Sequence, residues 1–262
     1  MNIRSQVLAA LLIAMTSATW ADESKDGPRT GYFRKTVTPA EMLGADGAKA
    51  VADVFEADDE LKWQLYVPHN YDPSKPAGVI VFINRWGNSG GSQKSYNDLL
   101  TEKNLIWAGA LDAGDPAPMN ERIMRAILTP IMLSKEYALD PSRIYVGGFS
   151  GGAHVANIVS TSKPGMFKGG LFVGGAVSWG DKVPTGIELM RQNRYIFAAG
   201  SNDVALKAVQ RTLNAYRGEG VEHTKLIIMH NQRQEMPGPK YLREAVEFLD
   251  DRDSTAASTD AE

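Results

Sequence analysis

Cysteine is absent from all 262 residues. Its absence excludes a disulfide framework, a thiolate-held metal and lipid attachment at a leader junction. Histidine is scarce, with four copies. None of them falls in H-E-x-x-H, so no pair is preset on one helix face to grip zinc. Dense Lys/Arg runs are missing too, since 28 basic residues stand dispersed against 31 acidic ones. That balance gives no electrostatic footprint for nucleic acid or for an anionic membrane surface. The N-terminal apolar run, 7–15, is too short to span a bilayer comfortably. Internal repeats are absent, and the only biased block is the acidic, small-residue tail from Asp251 onward.

A leader opens the chain. Met1-Asn2-Ile3-Arg4 precedes the apolar run, and Thr16-Ser17-Ala18-Thr19-Trp20-Ala21 leads to acidic Asp22-Glu23. Basic, apolar and small-residue segments in that order predict a secretory signal cleaved after Ala21, with the mature chain periplasmic or secreted. Losing Arg4 with it shifts the formal net charge from −3 to −4. The organisation expected is a signal peptide over 1–21, a loose polar extension over 22–48, one domain over 49–250 and a flexible tail over 251–262. A hydrophobic content of 43% with no polar linker mid-chain favours that single domain.

Alternation over 49–55 and 61–67, split by Glu56-Ala57-Asp58-Asp59-Glu60, predicts an antiparallel edge hairpin. A continuous apolar run over 78–83 reads as a strand covered on both faces, and 105–111, 170–173, 195–199 and 224–229 read as further strands. Helical spacing falls between them, over 119–137 with Pro130 as a kink, over 204–216 and over 241–249. This rhythm predicts an α/β domain, a mainly parallel sheet with helices on both faces and an antiparallel N-terminal edge.

The stretch 143–156 organises the rest. Ile144-Tyr145-Val146 reads as a strand, Gly148-Phe149-Ser150-Gly151-Gly152 fits G-x-S-x-G, and Ala153, Val155, Ala156 and Val159 open a helix. Strand, sharp turn and helix are the setting in which a serine hydroxyl is thrust above a sheet as a nucleophile. A glycine-rich turn whose serine merely caps the helix is the plainer alternative. Gly147–Gly152 is out of register with G-x-G-x-x-G and lacks the acid about twenty positions on, so dinucleotide binding is not indicated and no cofactor is expected.

A serine nucleophile needs a base, and the base needs an orienting carboxylate. Asp203 follows a buried strand at the C-terminal end and is the natural acid, with capping of the next helix as a compatible second duty. In the order Ser, acid, His, only His230 follows Asp203 and leaves its strand at the correct end. Trp86, in the loop after 78–83, is placed to stack on a substrate ring, whereas Trp107 reads as core.

The text over 140–156, DPSRIYVGGFSGGAHVA, with Phe167-Lys168-Gly169-Gly170, resembles secreted polyhydroxybutyrate-depolymerase-like and feruloyl-esterase-like members of the α/β-hydrolase superfamily. The resemblance spans roughly 60–250. It implies Ser150 as nucleophile, Asp203 as acid and the Gly151 N–H as an oxyanion donor. The usual His-Gly after the third strand is replaced by Asn84-Arg85-Trp86-Gly87, whose Asn84 and Arg85 backbone would complete the oxyanion hole. Before the last helix, where such proteins carry histidine three residues ahead of a proline, this chain has Gln234 ahead of Pro237. Glutamine is no general base near neutral pH. Two readings therefore stand. One is a secreted serine ester hydrolase of carboxylesterase or depolymerase type using Ser150, Asp203 and His230 on a small-molecule or polymeric ester. The other is a catalytically impaired hydrolase-fold protein that binds an ester, polymer or glycan fragment.

Overall fold

A computed structural model describes residues 27–88, 94–180 and 182–251. The leader expected over 1–21 and all but Asp251 of the tail lie outside these residues. The strands are β1 (Gly31–Val37), β2 (Leu61–Val67), β3 (Ala77–Asn84), β4 (Leu105–Ala110), β5 (Leu139–Phe149), β6 (Gly169–Val173), β7 (Arg194–Gly200) and β8 (Thr224–Met229). The helices are α1 (Pro39–Ala50), α2 (Asn97–Glu102), α3 (Met119–Leu133), α4 (Gly151–Ser162), α5 (Ile187–Arg191), α6 (Leu206–Gly218) and α7 (Pro239–Asp250).

All eight strands join one sheet in the order β1-β2-β4-β3-β5-β6-β7-β8. From β4 to β8 the pairings are parallel, while β1–β2 and β2–β4 are antiparallel. Side chains alternate across the sheet as a strand's period of two requires. Val79, Val81 and Ile83 of β3 join Tyr195 and Phe197 of β7 in one core, against Ile127, Val155 and Leu213 from α3, α4 and α6. Ile80, Phe82 and Ile196 face the second core, with Leu100 of α2 and Leu242 and Val246 of α7. Both sheet faces are thus covered, which is why these strands read as unbroken apolar runs.

Two expectations need correction. The edge partner of β2 is β1, from the stretch expected to wrap loosely, with Gly31 opposite Val67 and Val37 opposite Leu61. Residues 49–55 form no strand; they finish α1 and turn, with Phe55 N–H returning to Val51 O at 3.0 Å. The cause is local: Thr38 caps α1 through a capping box, its Oγ1 accepting from Glu41 N–H at 3.2 Å and Glu41 Oε2 accepting from Thr38 N–H at 2.7 Å. Similarly α3 stops at Leu133, three residues past Pro130. The chain turns there so that Tyr137 Oη donates to Arg29 O at 2.7 Å.

Candidate functional site

The parallel strands end at one edge of the sheet, and the loops leaving β3, β4, β5, β6, β7 and β8 gather there. Ser150 stands at the centre. Its φ of 55° and ψ of −118° are sparsely populated for a residue with a side chain, at a cost of about 1–3 kcal/mol. The flanking glycines make the corner possible. A Cβ on Gly148 would sit 2.2 Å from Gly152 O, and one on Gly152 would sit 2.0 Å from Ile83 O. Ser150 N–H donates to Val173 O at 2.8 Å, and Ser150 O accepts from Ala153 N–H at 2.9 Å, so strand and helix hold the turn from both sides.

Arg85 reaches the serine from the loop after β3. Its Nη1 lies 3.3 Å from Ser150 Oγ and 3.3 Å from Gln234 Oε1, which brings Gln234 to the serine's neighbourhood. Gln234 Nε2 donates to Gly174 O at 2.8 Å. Gly174, at φ +61°, is where three groups close in. A Cβ there would lie 3.0 Å from Gln234 Cγ, 3.2 Å from Asp203 Oδ2 and 3.4 Å from Phe149 Cε2. Asp203 is 7% exposed, and its Oδ1 accepts from Ala205 N–H at 2.8 Å, a turn bond ahead of α6, whose N-cap is Ala205 and not Asp203 as expected. Its Oδ2 is buried without a hydrogen-bond donor among the described residues.

His230 is not brought to this group. The residue is exposed, and its backbone N–H donates to Tyr241 Oη at 3.1 Å. Its imidazole makes no hydrogen bond with a described residue. The loop geometry accounts for its exposure. Asn231 turns the chain at φ 59°, and the carbonyls of Gln232 and Arg233 then pass so close to Gly200 that a Cβ there would meet both at 2.2 Å. Three residues, Asn231 to Arg233, are consumed before Gln234 reaches Gly174.

The residues expected to offer oxyanion donors adjoin one another. Gly152 packs on the backbone of Ile83 and Asn84, which sets the first turn of α4 beside the loop bearing Arg85. Asn84 is 2% exposed and bonds Asn88 through its amide nitrogen, while its Oδ1 has no partner among the described residues. Trp86 is 63% exposed, its ring centroid 5.4 Å from that of Phe149 and 5.7 Å from Arg85 Cζ. Trp107 is fully buried, as core.

Asp115, in the loop after β4, escaped the sequence reading. A Cβ on Gly151 would lie 2.0 Å from its Oδ1, so its carboxylate abuts the start of α4. Arg122 Nη2 holds that oxygen at 3.0 Å, and Arg85 Nε lies 3.7 Å from Oδ2. His154, one turn into α4, has Nε2 3.2 Å from where a Gly175 Cβ would stand. Loss of hydration lowers its pKa from the ordinary 6.5, against attraction from Asp115 and with repulsion from Arg122. The signal available for Asp115 was its place just past a buried strand's C-terminal end, the same signal that identified Asp203. Among the described residues no group of histidines and carboxylates is arranged to hold a metal ion, and no helix is long and apolar enough to cross a membrane.

No family model matches the chain, and no curated protein matches it. Solved structures do. One is a serine-to-alanine mutant of the feruloyl esterase module from Clostridium thermocellum, complexed with sinapinate. It is 13% identical with a TM-score of 0.59, over 87% of this chain and 90% of that one. A thermostable esterase is 14% identical with a TM-score of 0.59, over 83% of this chain and 62% of its own. Dipeptidyl peptidase 4 of Porphyromonas gingivalis is 15% identical with a TM-score of 0.57, over 84% of this chain and 35% of its own. At such identities the likeness concerns how the chain is folded.

Proposed function

Taking an α/β-hydrolase-like fold as premise, we propose that this chain is a secreted or periplasmic protein that binds an ester or acid in the old hydrolytic cleft and turns it over poorly. One observation carries the reading. Gln234 Oε1 and Ser150 Oγ share Arg85 Nη1 at 3.3 Å each, which supports a reading in which an amide takes the place of the serine's proton acceptor. Attack by Ser150 on a carbonyl requires its proton to leave as the bond forms. A glutamine amide has no basic lone pair near neutral pH, and a guanidinium is already protonated. The oxyanion would still find the N–H groups of Gly151 and of the Asn84–Arg85 loop, so stabilisation of a tetrahedral adduct survives while its formation is starved. Loss of a relay member removes about three to six powers of ten in rate. The test is the initial rate on p-nitrophenyl acetate, where wild type should match Ser150→Ala; a rate several hundredfold above that variant would refute the binding reading.

A second reading is favoured by the backbone at Ser150. Its strained φ of 55° projects a hydroxyl in the manner of a nucleophile and has no evident use in a simple binder. On that reading the protein is a serine ester hydrolase in which the loop carrying His230 refolds to pair that ring with Ser150 and Asp203. Loss of turnover in His230→Ala, from a wild type that is active, would establish it.

A further inference from the structure

The binding reading above leaves open what kind of group the cleft takes, and Arg85 bears on this. Two arginines in this chain each grip a carboxylate in two short bonds. Arg143 holds Asp250 at 3.0 and 2.6 Å, and Arg243 holds Glu102 at 2.9 and 2.8 Å. Arg85 has nothing comparable. Its contacts at 3.3 Å are to two neutral oxygens, and its approach to Asp115 is 3.7 Å. Charge-assisted N–H···O bonds settle at about 2.7–2.9 Å, so all three are long. Asp115 is engaged from the other side by Arg122, a residue 4% exposed that also donates from Nε to Ala113 O at 2.9 Å. Asp203 approaches Gly174 beside the Gln234 side chain, with one oxygen already on Ala205 N–H. Positive charge is therefore delivered to Ser150 and left weakly used there.

We infer that the cleft recognises the free carboxylate of an aryl acid, held by the Arg85 guanidinium and the Ser150 hydroxyl, in preference to the uncharged ester. A carboxylate is planar and singly charged, so one guanidinium fork matches it, and Ser150 Oγ–H supplies a further donor to the same group. The body of the ligand is set by what borders the guanidinium. Trp86 borders it and is 63% exposed, its ring tilted 40° to that of Phe149 at 5.4 Å, and 5.7 Å from Arg85 Cζ. A flat apolar ring extending from the carboxylate covers the exposed part of Trp86, where an offset or edge-on ring contact adds to the apolar area removed from water. In this arrangement replacing the relay imidazole with a neutral amide has a use, because Gln234 Oε1 orients Arg85 without adding a charge.

The probes are 2-naphthoate, its neutral near-isostere 2-naphthamide and methyl 2-naphthoate, titrated calorimetrically into the protein. Wild type should bind naphthoate at least about tenfold more tightly than the amide, as expected of a charge-assisted fork. Arg85→Gln should bring the ratio close to one with an unchanged circular dichroism spectrum, and Arg85→Lys should keep part of the preference. Equal or tighter binding of the amide, no saturable binding of naphthoate, or an undiminished preference in Arg85→Gln would overturn the assignment. The methyl ester separates the two claims. Its release of naphthoate several hundredfold above the rate of Ser150→Ala would sink the binding reading itself, whereas an intact ester bound as tightly as the acid would sink only the carboxylate assignment.

Discussion

Gln234 and Asp203 close on the same glycine: a Cβ at Gly174 would stand 3.0 Å from Gln234 Cγ and 3.2 Å from Asp203 Oδ2. The side chain at 234 thus adjoins the acid at Gly174, and Arg85 Nη1, 3.3 Å from each, links its Oε1 to Ser150 Oγ. An imidazole there would have an acceptor facing Ser150 and a donor for the carboxylate oxygen that now has none among the described residues. Gln234→His is expected to raise turnover of p-nitrophenyl acetate by about a hundredfold or more, the usual contribution of a positioned base. An unchanged rate would mean that position 234 is not the relay position.

Asp203 should matter only when that imidazole exists. In the parent, Asp203→Asn keeps an oxygen for Ala205 N–H and should leave ester hydrolysis at its basal level. In the Gln234→His background the same change should remove most of the gain, because the ring loses the partner that fixes its tautomer. Additive effects in the two backgrounds would contradict the coupling.

Gly174 carries both a conformational and a packing demand. At φ +61° any side chain is strained, and an added methyl would press on Gln234, Asp203 and Phe149. Gly174→Ala should lower unfolding free energy by about 1–3 kcal/mol, read as an earlier urea midpoint at unchanged slope. An unmoved midpoint would show that the loop relaxes freely.

His154 gives a pH dependence of known sign. Its pKa is lowered in the folded chain, so the unfolded chain takes up its proton first as pH falls below 6.5. The stability associated with the neutral ring is complete above pH 6.5 and is lost as pH drops toward the lower folded value. Asp115 and Arg122 are the charges acting on it. Against His154→Gln, wild type should lose thermal midpoint more steeply from about pH 6.5 downward, and parallel curves would disprove it.

Much of this fold was legible because its signals are local. Val79 to Ile83 and Tyr195 to Ala199 fill both cores, so unbroken apolar text identified central strands. The edge was not legible in the same way. β1 carries Arg34 and Lys35 and is buried only in part, so its text resembles a loop, while Val51 and Phe55 mimic a strand although they follow a helix. The Thr38-Pro39-Ala40-Glu41 capping box was the overlooked signal. In the site, the turns that present Ser150 and Asp203 were legible, a glycine-flanked corner after β5 and the end of β7. The course of the loop after His230 was not, because chain order says nothing of the turn at Asn231 that precedes Gln234 and its bond to Gly174. Arg85 drew notice for its backbone, and where its guanidinium points depends on a tertiary contact that sequence does not encode.

The central claim is that Ser150 lacks a proton acceptor. Its most direct test is intact-mass spectrometry after brief exposure to a fluorophosphonate, which reacts with activated serines. Wild type should stay unmodified while Gln234→His gains one phosphonyl adduct that peptide mapping assigns to Ser150. Rapid stoichiometric labelling of Ser150 in the wild type would contradict the account.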